Sequence, residues 1–133
     1  MLEENKAIVR EFLTRSTKER RAIVELCAPN FMAHIGDTQA MDLEEFQKFQ
    51  TNYYANFTEN DVTLEDMVAE GDKVAFRHVT RALHTGEFNG TPASGNRIAV
   101  HVIGMAKITD GKIVEWWNSP DRLSWMQQIG AVH

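Results

Sequence analysis

The sequence predicts an α+β fold, with helices first, an antiparallel meander next and one short helix at the end. Three observations carry this expectation. Apolar residues recur at helical spacing near the N-terminus and again from Phe46 to Phe57. From Val62 onward the pattern changes to strand-like runs separated by turn residues. The dipeptide Asp110-Gly111 divides two of these runs, which is a strong hairpin signal.

The elements follow in order. Residues 3–15 carry Ile8, Phe12 and Leu13 on one helical stripe. Ser16-Thr17-Lys18-Glu19 has the form of a capping box and predicts a second helix ending near Pro29. Cys27 falls within that stretch and reads as a small buried hydrophobe. Phe31 to Ile35 is short and extended. Asp42-Leu43-Glu44-Glu45 caps a third helix, with Phe46, Phe49, Tyr53 and Phe57 along one face. Strands follow from Val62 to Ala69, Lys73 to Leu83, Arg97 to Thr109 and Lys112 to Asn118. Gly90, Pro92 and Gly95 mark the intervening loop. Ser119 is expected to cap the last helix, Pro120 to take its first position and Gly130 to stop it. Both strand parities are apolar, as in Ile98, Val100 and Val102 against Ile103 and Met105. One sheet face therefore packs on the helices, and a second subunit is the economical cover for the other.

Composition narrows the function classes. The 133 residues suffice for one core, and we expect one domain over residues 1–133. The net charge of -5 argues against nucleic acid and anionic membranes as partners. No apolar run approaches membrane-spanning length and no secretory signal pattern opens the chain. One cysteine fits a reducing, cytoplasmic setting. No metal-ligand spacing, nucleophile elbow or phosphate-binding glycine loop is present, so neither metal nor cofactor is expected.

Asp110-Gly111-Lys112-Ile113-Val114-Glu115-Trp116-Trp117-Asn118-Ser119-Pro120-Asp121, with the Gln127-Gln128-Ile129-Gly130-Ala131 tail, closely resembles the C-terminal signature of the SnoaL-like polyketide cyclases, a branch of the NTF2-like superfamily. Ala69-Glu70-Gly71-Asp72-Lys73-Val74-Ala75-Phe76-Arg77 and the loop from Leu83 to Gly95 are similar to two further family segments. Ala93 stands where a second proline is usual, and Lys107 where arginine is frequent. The resemblance covers nearly the whole chain. It implies an NTF2-like, cystatin-like curved antiparallel sheet, wrapped by helices into a cone with an internal cavity and usually dimeric. Architecture follows from it better than reaction does.

Candidate site residues follow. The family's acid/base aspartate matches Asp121. A ring-closing aldol step or an isomerisation needs a base beside a carbonyl and an acid to return the proton. One carboxylate in a water-poor cavity does both if desolvation raises its pKa, and Trp116, Trp117 and Trp125 offer such a setting. The competing reading is structural: an acid in the first turn of a helix is stabilised as an anion by the dipole. His34 can donate to a substrate carbonyl, with Asn118 beside it. His84 and His101 are candidate ligand contacts, each with a hydrogen-bonded structural role as the alternative. His78, central in the long strand, has the weakest warrant. A buried phenol needs a hydrogen-bond partner, so one of Tyr53 and Tyr54 can point its hydroxyl into a cavity. Arg77 matches a family arginine and either binds substrate or pairs with Glu115. Trp117 completes the candidate wall.

The favoured function is cofactor-independent acid/base catalysis on a small apolar carbonyl compound, with Asp121 and His34 as catalytic groups. The rivals are a non-catalytic small-molecule binder and an epoxide-hydrolase-like enzyme.

Overall fold

The computed structural model describes residues 1–132. Helix α1 (Leu2–Glu19) leads through one 3₁₀ turn (Val24–Leu26) to strand β1 (Cys27–Ile35) and the short β2 (Met41–Asp42). Helix α2 (Leu43–Asn56) follows, then β3 (Phe57–Glu70), β4 (Lys73–His84), β5 (Arg97–Thr109) and β6 (Lys112–Pro120). Helix α3 (Arg122–Gln128) comes last. The six strands form one sheet in the order β2-β1-β6-β5-β4-β3.

The α+β class is as the sequence predicts, and so are most strand limits. Asp42 caps α2 by accepting from the Glu45 amide at 2.9 Å, while Glu45 accepts from the Asp42 amide at 3.0 Å. Those are the two halves of a capping box. Asp110 and Gly111 both take positive φ, 52° and 76°, as a tight twisted hairpin requires.

Three local expectations are corrected. The second helix does not form. Helix α1 runs on through Ser16, whose hydroxyl donates back to the Leu13 carbonyl at 3.1 Å. The helix stops at Arg20, whose left-handed backbone donates to the Ser16 carbonyl. Cys27 accordingly opens β1 rather than lying in a helix, though it is buried. The sheet is mixed rather than wholly antiparallel, because β1 pairs parallel with β6. The start of α3 also moves. Pro120 pairs with Val102 as the last residue of β6, and Asp121, not Ser119, is the cap.

Register sorts the side chains. Along β5, Ile98, Val100, Val102, Ala106 and Ile108 are buried with Gly104 on the same side, and Ala99, His101, Ile103 and Met105 face outward. A register shift between Lys107 and Ile108 leaves Val114 unpaired in β6. That bulge resets the alternation. Ile113 and Trp116 thus share the inner face, while Glu115 and Trp117 turn outward.

Two apolar clusters fill the inner side. One joins Val9, Phe12, Phe31, Phe46, Phe76 and Trp116, tying α1 and α2 to β1 and β6. The other joins Phe57, Phe88, Ile98, Val100, Val102 and Ile129, with Tyr53 and Trp125 packed against it.

Candidate functional site

A cavity of about 120 Å³ lies where the two clusters meet, lined by members of both. One water needs roughly a tenth of that volume, so the space accepts a small organic molecule. Helix α1 contributes Phe12, Leu13, Ser16 and Thr17; α2 contributes Phe46, Phe49, Gln50, Tyr53 and Tyr54. The sheet supplies the opposite wall. Asn60 and Val62 come from β3, His78 and Thr80 from β4, Ile98, Val100 and Val102 from β5, and Trp116, Asn118 and Pro120 from β6. Ile35 and Trp125 complete it. Strand pairing sets these residues side by side: Val62 opposes Thr80, and Thr80 opposes Val100.

Two features define the chemistry. First, the lining contains no Asp, Glu, Lys or Arg. Second, four of its buried polar atoms have no hydrogen-bond partner among the described residues: Tyr53 Oη, Asn60 Oδ1, His78 Nε2 and Trp125 Nε1. Unpaired buried polar groups are costly and rare in folded proteins. Clustered around one cavity, they present both donors and acceptors to an occupant: the Trp125 N–H only donates, and Asn60 Oδ1 only accepts.

His78 is 4% exposed. Its Nδ1 lies 3.3 Å from Thr80 Oγ1, and its ring stacks on Phe76 at 5.8 Å. Burial pushes its pKa down to about 4, so the ring is neutral at neutral pH. Burial also raises the Tyr53 phenol, which stays protonated. Tyr53 is held by stacking on Phe57 at 4.9 Å and by edge contact with Trp125 at 6.0 Å.

Of the residues singled out in the sequence, Tyr53, His78, Trp116, Asn118 and Trp125 line this cavity. Asp121 does not. It is exposed, and its Oδ1 accepts from the Ser124 amide at 3.2 Å as the cap of α3. That is a helix-capping position outside the cavity wall. His34 lies on the outer sheet face, with Nε2 2.7 Å from Glu115 Oε2 and its ring stacked on Trp117 at 5.5 Å. Trp117 is on that same face, by the reset alternation of β6. His101 is exposed on the outer parity of β5, and its carbonyl accepts from the Asp121 amide. Arg77 does not pair with Glu115. It bridges to Asp66 at 2.6 Å and Glu65 at 3.0 Å on neighbouring β3 and is half exposed. His84 is fully buried outside the lining; its Nδ1 accepts from the Ser94 amide at 3.1 Å, which anchors the loop after β4.

Sequence reasoning gave least weight to His78. The signal was present: His78 shares its parity with Val74, Phe76, Thr80 and Ala82, the inward positions of β4. Among the described residues no group of three or more His, Cys, Asp or Glu side chains is arranged to hold a metal ion. Among the described residues no helix is long and apolar enough to cross a membrane.

The family model described as SnoaL-like polyketide cyclase matches residues 7–129. The chain belongs to the SnoaL-like polyketide cyclase family. No curated protein sequence matches it. Among solved structures it is similar to AclR, a candidate hydroxylase from Streptomyces galilaeus, with TM-score 0.90 and 22% identity over 100% of both chains. It is similar to wild-type IdmH, a candidate polyketide cyclase from Streptomyces antibioticus, with TM-score 0.77 and 29% identity over 98% of this chain and 99% of that one. An LEH-like epoxide hydrolase from M. tuberculosis shares the fold at TM-score 0.76 and 13% identity, over 96% and 90% of the two chains. Proteins of this fold thus differ in their described chemistry, and the lining of each cavity has to distinguish them.

Proposed function

We propose that the protein takes a small, uncharged carbonyl compound into its cavity and rearranges it by proton transfer without a cofactor, as an intramolecular aldol cyclisation or an isomerisation. The observation that carries this reading is the charge-free lining with four unpartnered polar atoms. A charged ligand would lose its hydration there without a counter-charge. A neutral ketone or enol keeps its hydrogen bonds, accepting from Trp125 and Tyr53 and donating to Asn60. Membership of a cyclase family supports the reaction class. The proton-transfer role that the resemblance implies for Asp121 is not part of this reading, because that carboxylate lies outside the lining. The lining also has no carboxylate to activate a water, which weighs against epoxide hydrolysis despite the LEH-like neighbour.

A second reading, binding without chemistry, draws on the same lack of charge. The two are separated by exposing the protein to a panel of neutral cyclic ketones and their carboxylate analogues. Neutral ketones should raise the melting temperature and carboxylates should not. A product of unchanged mass and new connectivity then marks catalysis. Stabilisation by the carboxylates instead would overturn the proposal.

The same reading includes a homodimer through the outer sheet face. Val68, Ala75, Met105, Trp117 and His34 form one cross-strand row on that face. Val68 is 66% exposed and Ile103 65%. An apolar row of this kind favours an isologous contact. A reducing, cytoplasmic setting is proposed on the single unpaired thiol of Cys27.

A further inference from the structure

We infer that His78 is the proton-transfer residue of the cavity: its Nε2 takes the α-proton of a bound ketone and later gives it back. The inference rests on the reading of the cavity as a site for neutral carbonyl compounds and adds the residue and the kind of carbon acid to it.

The argument is first one of elimination. Acid/base catalysis needs a group within hydrogen-bond reach of the proton it moves. Only His78, Tyr53 and Tyr54 are ionisable among the lining residues. Burial raises both phenols, so neither is a base. His78 remains, with Nε2 buried and unpartnered.

Its surroundings are consistent with that task. Leu64 of β3 and Val102 of β5 flank it in the sheet, and Phe76 stacks on the ring. None of these bears charge, so nothing holds an imidazolium in the resting state. With its proton on Nδ1, the ring donates to Thr80 Oγ1, and Nε2 presents a lone pair. This arrangement resembles the oriented base of a catalytic pair, with a hydroxyl in place of a carboxylate.

The step balances without a co-reactant. The α C–H bond breaks and its proton goes to Nε2. The electron pair forms the enolate C=C bond, and the carbonyl π pair moves onto oxygen. That oxygen can take hydrogen bonds from Tyr53 O–H and Trp125 N–H, whose atoms lack other partners. The enolate carbon then bonds to a second carbonyl carbon of the same molecule, and the new alkoxide receives the proton from Nε2. If no second carbonyl is in reach, the proton returns to carbon. An imidazole disfavoured as a cation is a weak base, so it selects an acidified carbon. The substrate class is a ring ketone whose α-carbon is activated by a second carbonyl or an aromatic ring.

The test uses the whole protein and 2-tetralone, which is neutral and has such a carbon at C1. Proton NMR in D₂O follows deuterium uptake at C1, and thermal shift follows binding. Wild-type protein should bind it and accelerate the exchange. His78→Gln should lower the exchange by ~10²–10⁴-fold and keep the thermal shift. Exchange that survives in His78→Gln, or collapses in Asp121→Asn while His78→Gln stays active, overturns the inference. Should His78→Gln fail to fold, wild-type protein with ¹⁵N-labelled histidine decides. Nε2 should be unprotonated at neutral pH and its resonance should move on adding 2-tetralone. A protonated Nε2, or a resonance indifferent to bound ketone, refutes the role. Binding without exchange refutes proton transfer and leaves a binding pocket. If no cyclic ketone binds, the underlying reading fails as well.

Discussion

Gly104 lies directly opposite Phe76 in the β4–β5 ladder, and the Phe76 ring occupies the space that a side chain at 104 would need. A Cβ there would come within 2.5 Å of the ring and 2.4 Å of the Trp117 carbonyl oxygen. The backbone contact leaves little room to yield. Phe76 in turn stacks on Trp116 at 4.8 Å and beside His78 at 5.8 Å. A small residue in β5 therefore sets the aromatic wall behind the buried imidazole. We expect Gly104→Ala to lower stability by about 1–3 kcal/mol through overpacking, measured by urea unfolding. Wild-type stability in the variant would show that Phe76 is free to move.

Stability should fall in mild acid because of His78. Its folded pKa of about 4 lies below the ordinary 6.5, so the unfolded chain binds the proton more readily. The contribution is complete above pH 6.5 and declines as pH drops towards 4, by up to about 3 kcal/mol. Tyr53 and Tyr54, the other ionisable groups of the lining, are protonated throughout this window. Urea titrations at several pH values should show the slope, and His78→Gln should flatten it. An equal slope in the variant would place the proton uptake elsewhere.

Asp121 should behave as a helix cap in unfolding experiments. Asp121→Ala removes the acceptor for the Ser124 amide and should cost about 1 kcal/mol. Asp121→Asn keeps an acceptor and should cost only a fraction of that. Equal costs for the two would argue against the capping bond.

Ile103→Glu tests the outer face. It places a charge on that face between Arg77 and Ser119, two residues along β5 from Met105, without touching the cavity. Wild-type protein should sediment near twice the chain mass at micromolar concentration, and the variant near one chain mass, with ketone binding retained. A wild-type monomer would refute the proposed dimer.

Cys27 should resist alkylation in the native state. It is buried, and burial pushes its thiol up to about 12. Labelling by iodoacetamide should appear only with urea. Rapid native labelling would mean that the start of β1 opens.

The legibility of this fold varied with the range of the interaction concerned. Asp42 with Glu45, and Asp110 with Gly111, act through their own backbone, so their sequence patterns are close to their structures. Ser16 and Glu19 show the same box pattern, yet the helix passes through them because α1 is continuous. Pattern also reports which face a strand residue takes, but not which strand lies beside it or in which direction. The parallel pairing of β1 with β6 was therefore hidden. At the site, Tyr53 and Asn118 were legible from local chemistry. Trp117 was assigned to the wall because the bulge at Val114, which turns it outward, has no residue signal of its own. Asp121 was read as the first turn of a helix beginning at Pro120. Its real place depends on Pro120 staying in register with Val102 across the sheet.

The pairing of β1 with β6 also bears on how the chain comes together. His34 and Glu115 meet across 81 intervening steps of sequence, and the cluster around Phe12 is incomplete without Trp116. Helices α1 and α2 thus settle on a surface that is complete only once β6 has joined it. Contacts of such long range slow folding and leave early segments exposed meanwhile. A nascent chain interrupted before Lys112 would lack Ile113 and Trp116, leaving the apolar faces of both helices only partly covered by β1, β3 and β4, a natural target for chaperones. Completion of the β5–β6 hairpin is what closes the cluster around Phe12.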